Sequence, residues 1–183
     1  MRRLLPFALL IGLAACGGLR LEEFENTEPR FALEDYFLGH TRVWGAFYDR
    51  FGNLRRQFVA DIEGTFDGEV LTMDEVFLFD DGEREERVWE FTRLGEGRWE
   101  GRAADVVGLA SVASAGRAVH LRYDLELPVG ERTWVVHFDD WLLLQPGEVV
   151  INRAQVTKFG VRIGEMVAFF AKVDEDEAGG AGS

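Results

Sequence analysis

The chain has 183 residues and carries 33 Asp and Glu against 20 Lys and Arg, for a formal net charge of −13. This acidity excludes a nucleic-acid-binding role, because the phosphate backbone would repel the protein, and the length suits one domain with a sizeable core. Hydrophobic residues make up 47% of the chain, with 15 Phe and 5 Trp, so the bulk of it is predicted to fold rather than to remain disordered.

The first fifteen residues follow the order typical of a secretory signal peptide. Arg2 and Arg3 supply positive charge, residues 4–13 are mainly apolar, and two alanines follow them. The apolar stretch is too short for a membrane-spanning helix, which needs roughly 20 residues. We therefore predict that residues 1–15 are a signal peptide.

The sequence Leu13-Ala14-Ala15-Cys16 resembles the lipobox of bacterial lipoproteins, in which the cysteine receives lipid and becomes the new amino terminus. Cys16 is the only cysteine, so no disulfide can form within the chain. The resemblance implies a lipid anchor at Cys16, and residues 16–30 are then the lipidated cysteine and its tether. By resemblance to the sorting of enterobacterial lipoproteins, Gly17 after the cysteine implies the periplasmic face of the outer membrane rather than the inner membrane. An ordinary signal peptide cleaved near a cysteine is the alternative.

Residues 31–38 predict a short helix that Gly39 would end. From residue 40 onward, turn sequences rich in Gly, Pro and Asp separate long stretches in which apolar and polar residues alternate. The connections are too short for parallel crossovers. We predict an all-β domain over residues 31–173, an antiparallel meander of about 8–10 long strands that closes into a lipocalin-like barrel. Residues 174–183 are predicted to be a disordered acidic and glycine-rich tail.

Motifs of nucleophilic catalysis and of phosphate binding are missing from the sequence, and the single cysteine is assigned to the anchor. Three histidines, His40, His120 and His137, are far apart in the sequence, although a barrel could bring them together with Asp139 or Asp140. A lone histidine on a strand is more often structural than a metal ligand. We therefore predict no metal, no cofactor and no catalytic residue.

The sequence Asp139-Asp140-Trp141 interrupts an otherwise apolar strand. Because side chains alternate along a strand, one of the two carboxylates must face inward, and a buried charge needs a partner such as Arg56, Arg153 or Lys158. A structural ion pair or a β-bulge is the first interpretation, and a polar anchor inside a ligand cavity is the second. The predicted ligand-binding residues are Trp44, Arg56, Asp139, Asp140, Trp141, Arg153 and Lys158.

Several short segments form a distinctive combination: Val43-Trp44-Gly45, Asp49-Arg50-Phe51-Gly52, Leu71-Thr72-Met73-Asp74-Glu75, Ala104-Asp105-Val106-Val107-Gly108, Phe138-Asp139-Asp140-Trp141 and Ile151-Asn152-Arg153-Ala154. Together they resemble one family of proteobacterial lipoproteins, the domain of unknown function 3833 family. The resemblance spans nearly the whole chain after the signal peptide. It implies an exported lipoprotein without an assigned activity, and it supplies no catalytic residues.

Three functions remain open at this point. The first is a membrane-anchored module that binds a lipid or another apolar small molecule inside the barrel. The second is an envelope protein that assists assembly through its surface, and it predicts an exposed apolar patch. The third is an enzyme that uses an Asp and a His as acid and base on a lipid-derived substrate, and it predicts a histidine beside an inward carboxylate. We rank them in that order.

Overall fold

The computed structural model describes residues 18–173. The predicted signal peptide, Cys16 and the predicted tail from residue 174 onward lie outside the described residues. Within the described part, no helix is long and apolar enough to span a bilayer.

Ten antiparallel strands and two short helical turns make up the fold. The strands are β1 (Gly39–Asp49), β2 (Leu54–Phe66), β3 (Val70–Phe79), β4 (Arg84–Gly95), β5 (Arg98–Arg102), β6 (Val106–Ala115), β7 (Ala118–Val129), β8 (Arg132–Leu144), β9 (Val149–Lys158) and β10 (Val161–Lys172). A 3₁₀ turn (Leu21–Phe24) and helix α1 (Leu33–Tyr36) precede them. The predicted all-β class and the short N-terminal helix are confirmed.

Each strand pairs with its neighbours in the chain, and β1 also pairs with β10 to close the barrel. The closing register runs from Thr41 opposite Lys172 to Asp49 opposite Gly164. Closure provides the outer hydrogen-bonding edges of the first and last strands with partners, so neither is left open to another chain. The predicted closed barrel is thus confirmed.

Alternation along the strands builds the interior. On β8, Val136, Phe138 and Asp140 are buried, whereas the residues between them are more exposed. A strand sends successive side chains to opposite faces, so residues of one parity fill the barrel and the others form its outer wall. Gly52, Gly82, Gly130 and other turn glycines have positive φ, which lets short turns connect the strands.

The N-terminal segment closes one end of the barrel. Phe31, Leu33, Tyr36 and Phe37 are all buried against the core, and the Tyr36 hydroxyl donates a hydrogen bond to the Glu148 carbonyl oxygen at 3.0 Å. The residues before them, expected to be a tether, also pack on the barrel. Phe24, for example, lies against Trp141, with 6.1 Å between the ring centroids.

We call residues 31–37, which close this end of the barrel, the plug. Gly64 on β2 is the point at which the plug comes closest to the sheet. A Cβ atom built on Gly64 would overlap the backbone carbonyl of Phe37, and a backbone atom cannot move aside as a flexible side chain can. The absence of a side chain at residue 64 therefore allows the Phe37 backbone to pack directly against β2.

We expect Gly64→Ala to lower the free energy of unfolding by about 1–3 kcal/mol, since the added methyl group must displace backbone. Gly95→Ala is the control, because a Cβ there would meet only the end of the Arg98 side chain at 3.4 Å. Urea denaturation of both variants measures the difference. Equal and small effects would show that the plug does not depend on close approach at Gly64.

Candidate functional site

A cavity of about 310 Å³ lies inside the barrel. Its wall is mainly apolar, formed by side chains such as Val43, Phe58, Ile62, Phe77 and Trp89, and Leu33 and Phe37 of the plug close one end. Arg56 and Glu85 lie toward the other end and are partly exposed, so this is where the cavity meets solvent. The cavity is within the size range of small-molecule sites, roughly 300–1,000 Å³.

Charged side chains are set into this apolar wall on β3 and β4. Glu75 lies opposite Arg87 in the strand register, and the nearest atoms, Glu75 Oε2 and Arg87 Nη1, are 3.9 Å apart. Arg87 instead binds Asp105, with 2.7 Å from Nη2 and 3.0 Å from Nε to the same carboxylate oxygen. The guanidinium therefore binds Asp105 through Nε and Nη2, and its Nη1 forms an ion pair with Glu75 that is too long for a hydrogen bond.

A second polar group projects into the cavity from β7, β8 and β9. The Asp140 carboxylate accepts a hydrogen bond from Asn152 Nδ2 and lies 3.5 Å from the Tyr123 hydroxyl. Asn152 Nδ2 also donates to the Trp141 carbonyl oxygen at 3.2 Å. The amide oxygen of Asn152 is fully buried and has no hydrogen-bond partner. Asp140 and Asn152 both line the cavity, which therefore presents acceptor oxygens beside the guanidinium groups of Arg56 and Arg87.

Burial dominates the ionisation of these carboxyl groups. Loss of solvent raises the pKa of Glu75 to about 7, an effect that Arg87 partly offsets and Asp105 and Asp140 reinforce. Burial likewise raises the pKa of Asp140 to about 6, although its hydrogen bonds from Asn152 and Tyr123 oppose the rise. Each desolvated carboxylate is destabilised relative to its protonated form, which is the electrostatic signature of many functional sites.

The adjacent carboxylates of Asp139 and Asp140 face opposite sides of the wall. Asp140 faces inward, where its partners are Tyr123 and Asn152 rather than the arginine or lysine expected from the sequence. Asp139 faces outward and accepts hydrogen bonds from Trp141 Nε1 and His120, each at 3.1 Å. His120 stacks on Trp141 with 4.1 Å between ring centroids, which holds this outer cluster together.

Arg56 is the other residue of the predicted set that lines the cavity. Its guanidinium stacks over the Phe79 ring at 3.4 Å and pairs with acids of the β3–β4 hairpin, including Asp81 at 3.2 Å and Glu83. These pairs use the two terminal nitrogens, while the buried Nε has no hydrogen-bond partner, and together with the stacking they hold Phe79 and the hairpin beside the solvent end of the cavity.

The remaining predicted residues lie elsewhere. Trp44 is 46% exposed on the outer face of β1. Arg153 also faces outward and pairs with Glu165 at 3.0 Å. Lys158 lies at the end of β9 with its ammonium 4.1 Å from the centre of the Trp134 ring. The structure therefore brings Arg56 and Asp140 to the cavity wall and leaves Trp44, Asp139, Trp141 and Arg153 on the outer surface.

The sequence analysis missed Glu75, Arg87, Tyr123 and Asn152 as cavity residues. The pair Asp74-Glu75 resembles a solvated turn, yet Leu71, Met73, Glu75 and Phe77 occupy alternate positions of one strand. That period-two pattern was the signal for an inward Glu75. Asn152 between outward Ile151 and Arg153 carried a similar signal.

Each histidine is paired with a carboxylate outside the cavity. The distances are 2.9 Å for His40 with Asp61, 3.1 Å for His120 with Asp139 and 2.8 Å for His137 with Asp124. The arrangement that acid–base catalysis would require, a histidine beside an inward carboxylate, is therefore not formed by any of the three. Among residues 18–173, no cluster of three metal-ligating side chains is present.

The geometry thus defines a lipocalin-like closed barrel with a cavity whose apolar wall carries buried acids. The family model described as "Protein of unknown function (DUF3833)" matches residues 10–172, and the chain belongs to this family. The resemblance noted in the sequence is confirmed in that respect.

One solved structure supports the barrel fold. An S-type phycobiliprotein lyase from Guillardia theta is similar with a TM-score of 0.56 and 11% identity over 80% of this chain and 95% of the lyase. A protein of unknown function from the DUF3598 family of Nostoc punctiforme has a TM-score of 0.49 and 10% identity, over 80% of this chain and 51% of its own. No match was found among curated proteins.

We expect Glu75→Gln to stabilise the protein in a pH-dependent way. A carboxyl group whose pKa is raised on folding contributes stability that is fully present below its unfolded pKa, 4.5, and is lost as the pH rises through about 7. Glutamine does not ionise, so the advantage of the variant should be near zero at pH 4 and reach about 3 kcal/mol at pH 8.

Urea denaturation at both pH values measures this difference. Asp74→Asn is the matched control, because Asp74 is the exposed neighbour on the same strand. A Glu75→Gln variant with the same advantage at pH 4 and pH 8 would contradict a charge buried at this position.

Proposed function

We propose that the protein binds a lipid or another apolar small molecule inside its barrel. The observation that carries the proposal is the cavity of about 310 Å³, which has aromatic and aliphatic walls and polar groups at defined positions. Small closed barrels are suited to enclosing one ligand, because hydrogen bonds between the strands maintain the wall even where side chains do not fill the interior. Burial of apolar ligand surface would supply the affinity, and the polar groups would set the orientation.

Blocking the cavity tests this function. Ala60 lines the cavity from β2, whereas its neighbour Val59 is 37% exposed on the outer face. We expect Ala60→Phe to fill the cavity and to reduce binding of an environment-sensitive fluorescent acyl probe by at least about tenfold. Val59→Phe should leave binding unchanged, since it adds a similar ring outside.

Because a larger core residue can also destabilise the fold, Ala168→Leu provides a milder block from β10, and thermal unfolding of each variant monitors integrity. A folded Ala60→Phe protein that binds the probe as well as wild type would refute a site within the barrel. Mass spectrometry of lipid extracted from protein purified from its native envelope would identify the natural ligand.

We further propose that the protein is held in the cell envelope by a lipid on Cys16, on the periplasmic face of the outer membrane. The support is the order of basic, apolar and small residues before the single cysteine. Two or more acyl chains suffice for stable anchoring.

Cys16→Ser should abolish incorporation of labelled palmitate and release the protein from the membrane fraction. Separation of the two membranes on a density gradient then distinguishes the outer from the inner location. Retention of Cys16→Ser protein in washed membranes would contradict the anchor.

A surface role in envelope assembly is the second candidate, and the end opposite the plug favours it. Phe51 is 75% exposed and Phe159 is 94% exposed, on two turns next to each other where β1 meets β10. If this surface binds an envelope protein, the double variant Phe51→Ser and Phe159→Ser should abolish capture of that protein. Val88→Ser, an exposed position on the barrel wall, should not. Ligand binding should survive both changes.

A further inference from the structure

We propose that the cavity selects apolar molecules whose polar group donates hydrogen bonds and carries no negative charge, such as long-chain amines and alcohols, and that it discriminates against carboxylates. This inference rests on the proposed function, because it assigns the chemical class of ligand to the same cavity.

The first argument is that acceptors without partners lie on the cavity wall away from Arg56, whose Nε is a buried donor without a partner at the solvent end. The amide nitrogen of Asn152 is occupied by two acceptors, the Asp140 carboxylate and the Trp141 carbonyl oxygen, which fixes the amide orientation and leaves its buried oxygen free. Among residues 18–173, no side chain donates a hydrogen bond to Glu75, whose nearest cation is 3.9 Å away. A buried acceptor without a partner is costly, so a donor on the ligand would be favoured at either position.

The second argument is that both guanidinium groups at the cavity already have carboxylate partners within the chain. Arg87, which lines the cavity, is bound by the Asp105 carboxylate through two nitrogen atoms. Arg56 at the solvent end pairs with Asp81, Glu83 and Glu85. A ligand carboxylate would have to share a guanidinium with the acids already bound to it, which weakens the attraction and places like charges together.

The third argument is the balance of charge around Glu75. Glu75 is affected by one favourable charge, that of Arg87, and by two unfavourable charges, those of the partly exposed Asp105 and the buried Asp140. An additional anion in the same apolar enclosure would increase this repulsion. An ammonium group would relieve it, and a hydroxyl group would supply a donor without adding charge.

Three probes of equal chain length separate these cases: dodecylamine, dodecanol and dodecanoate, each titrated calorimetrically below its aggregation concentration into the purified full chain freed of bound lipid. We expect the amine and the alcohol to bind at least about tenfold more tightly than the carboxylate, the difference that one hydrogen bond to a charged group provides.

Asp139 and Asp140 offer a matched pair of variants, because they are adjacent in sequence and face opposite sides of the wall. Asp140→Asn and Glu75→Gln should each reduce the preference for amine over carboxylate by about tenfold. Asp139→Asn should preserve the preference, since its partners His120 and Trp141 lie outside. Thermal unfolding confirms that each variant is folded.

The possible results distinguish failure of the head-group preference from failure of ligand binding itself. If all three probes bind equally and Ala60→Phe blocks them all, the site is in the cavity and the head-group preference is overturned. Tighter binding of dodecanoate, or a change of preference in Asp139→Asn equal to that in Asp140→Asn, would overturn it as well. If none of the probes binds, the proposed function fails together with the inference.

Discussion

The pairing of β1 with β10 is the interaction on which the rest of the structure depends. Through it, a simple meander becomes a closed wall, and every inward side chain then projects into a common interior. The wall is stabilised by backbone hydrogen bonds and by side chains packed along it, so the centre does not have to be completely filled. This is the physical reason that a chain of this length can combine a stable core with an internal cavity.

Burial of carboxyl groups in that interior opposes stability. Glu75 and Asp140 could be replaced by apolar residues of similar size with no loss of sheet hydrogen bonding, and such replacements of buried charges are often neutral or stabilising. Only part of the cost is recovered within the chain, because Asp140 receives hydrogen bonds from Asn152 and Tyr123 whereas Glu75 receives none from the described side chains. Buried carboxyl groups that lower stability are expected where a site must recognise another molecule.

The fold could be predicted from the sequence because its determinants are local. Alternation in segments such as Phe58, Ala60 and Ile62, with turn residues between segments, specifies strands and their connections regardless of the final pairing. The same alternation shows that only one of Asp139 and Asp140 can face the interior. Identification of the inward one requires the phase of the whole strand, which its buried neighbours Val136 and Phe138 provide in the structure.

The composition of the site was harder to predict because it depends on pairs that are distant in the sequence. Arg87 meets Asp105 and Asn152 meets Asp140 only after register is established over several strands. Residue type is also a poor guide to the face of a strand: Trp44 and Trp141, natural choices for an apolar cavity, lie on the outer surface, while Glu75 lies within. An outward tryptophan can be held by stacking, as Trp141 is by His120.

The plug gives the barrel a direction. Leu33 and Phe37 close the end of the cavity nearest the N-terminal segment. A ligand must therefore enter through the opposite, solvent end beside Arg56 and Glu85, which forms the mouth of the cavity. Under the proposed attachment at Cys16, the mouth would lie at the end of the barrel away from the bilayer. A bound ligand would then enter and leave from the aqueous phase, or from a membrane or protein opposite the mouth, and not from the bilayer in which the lipid anchor is inserted.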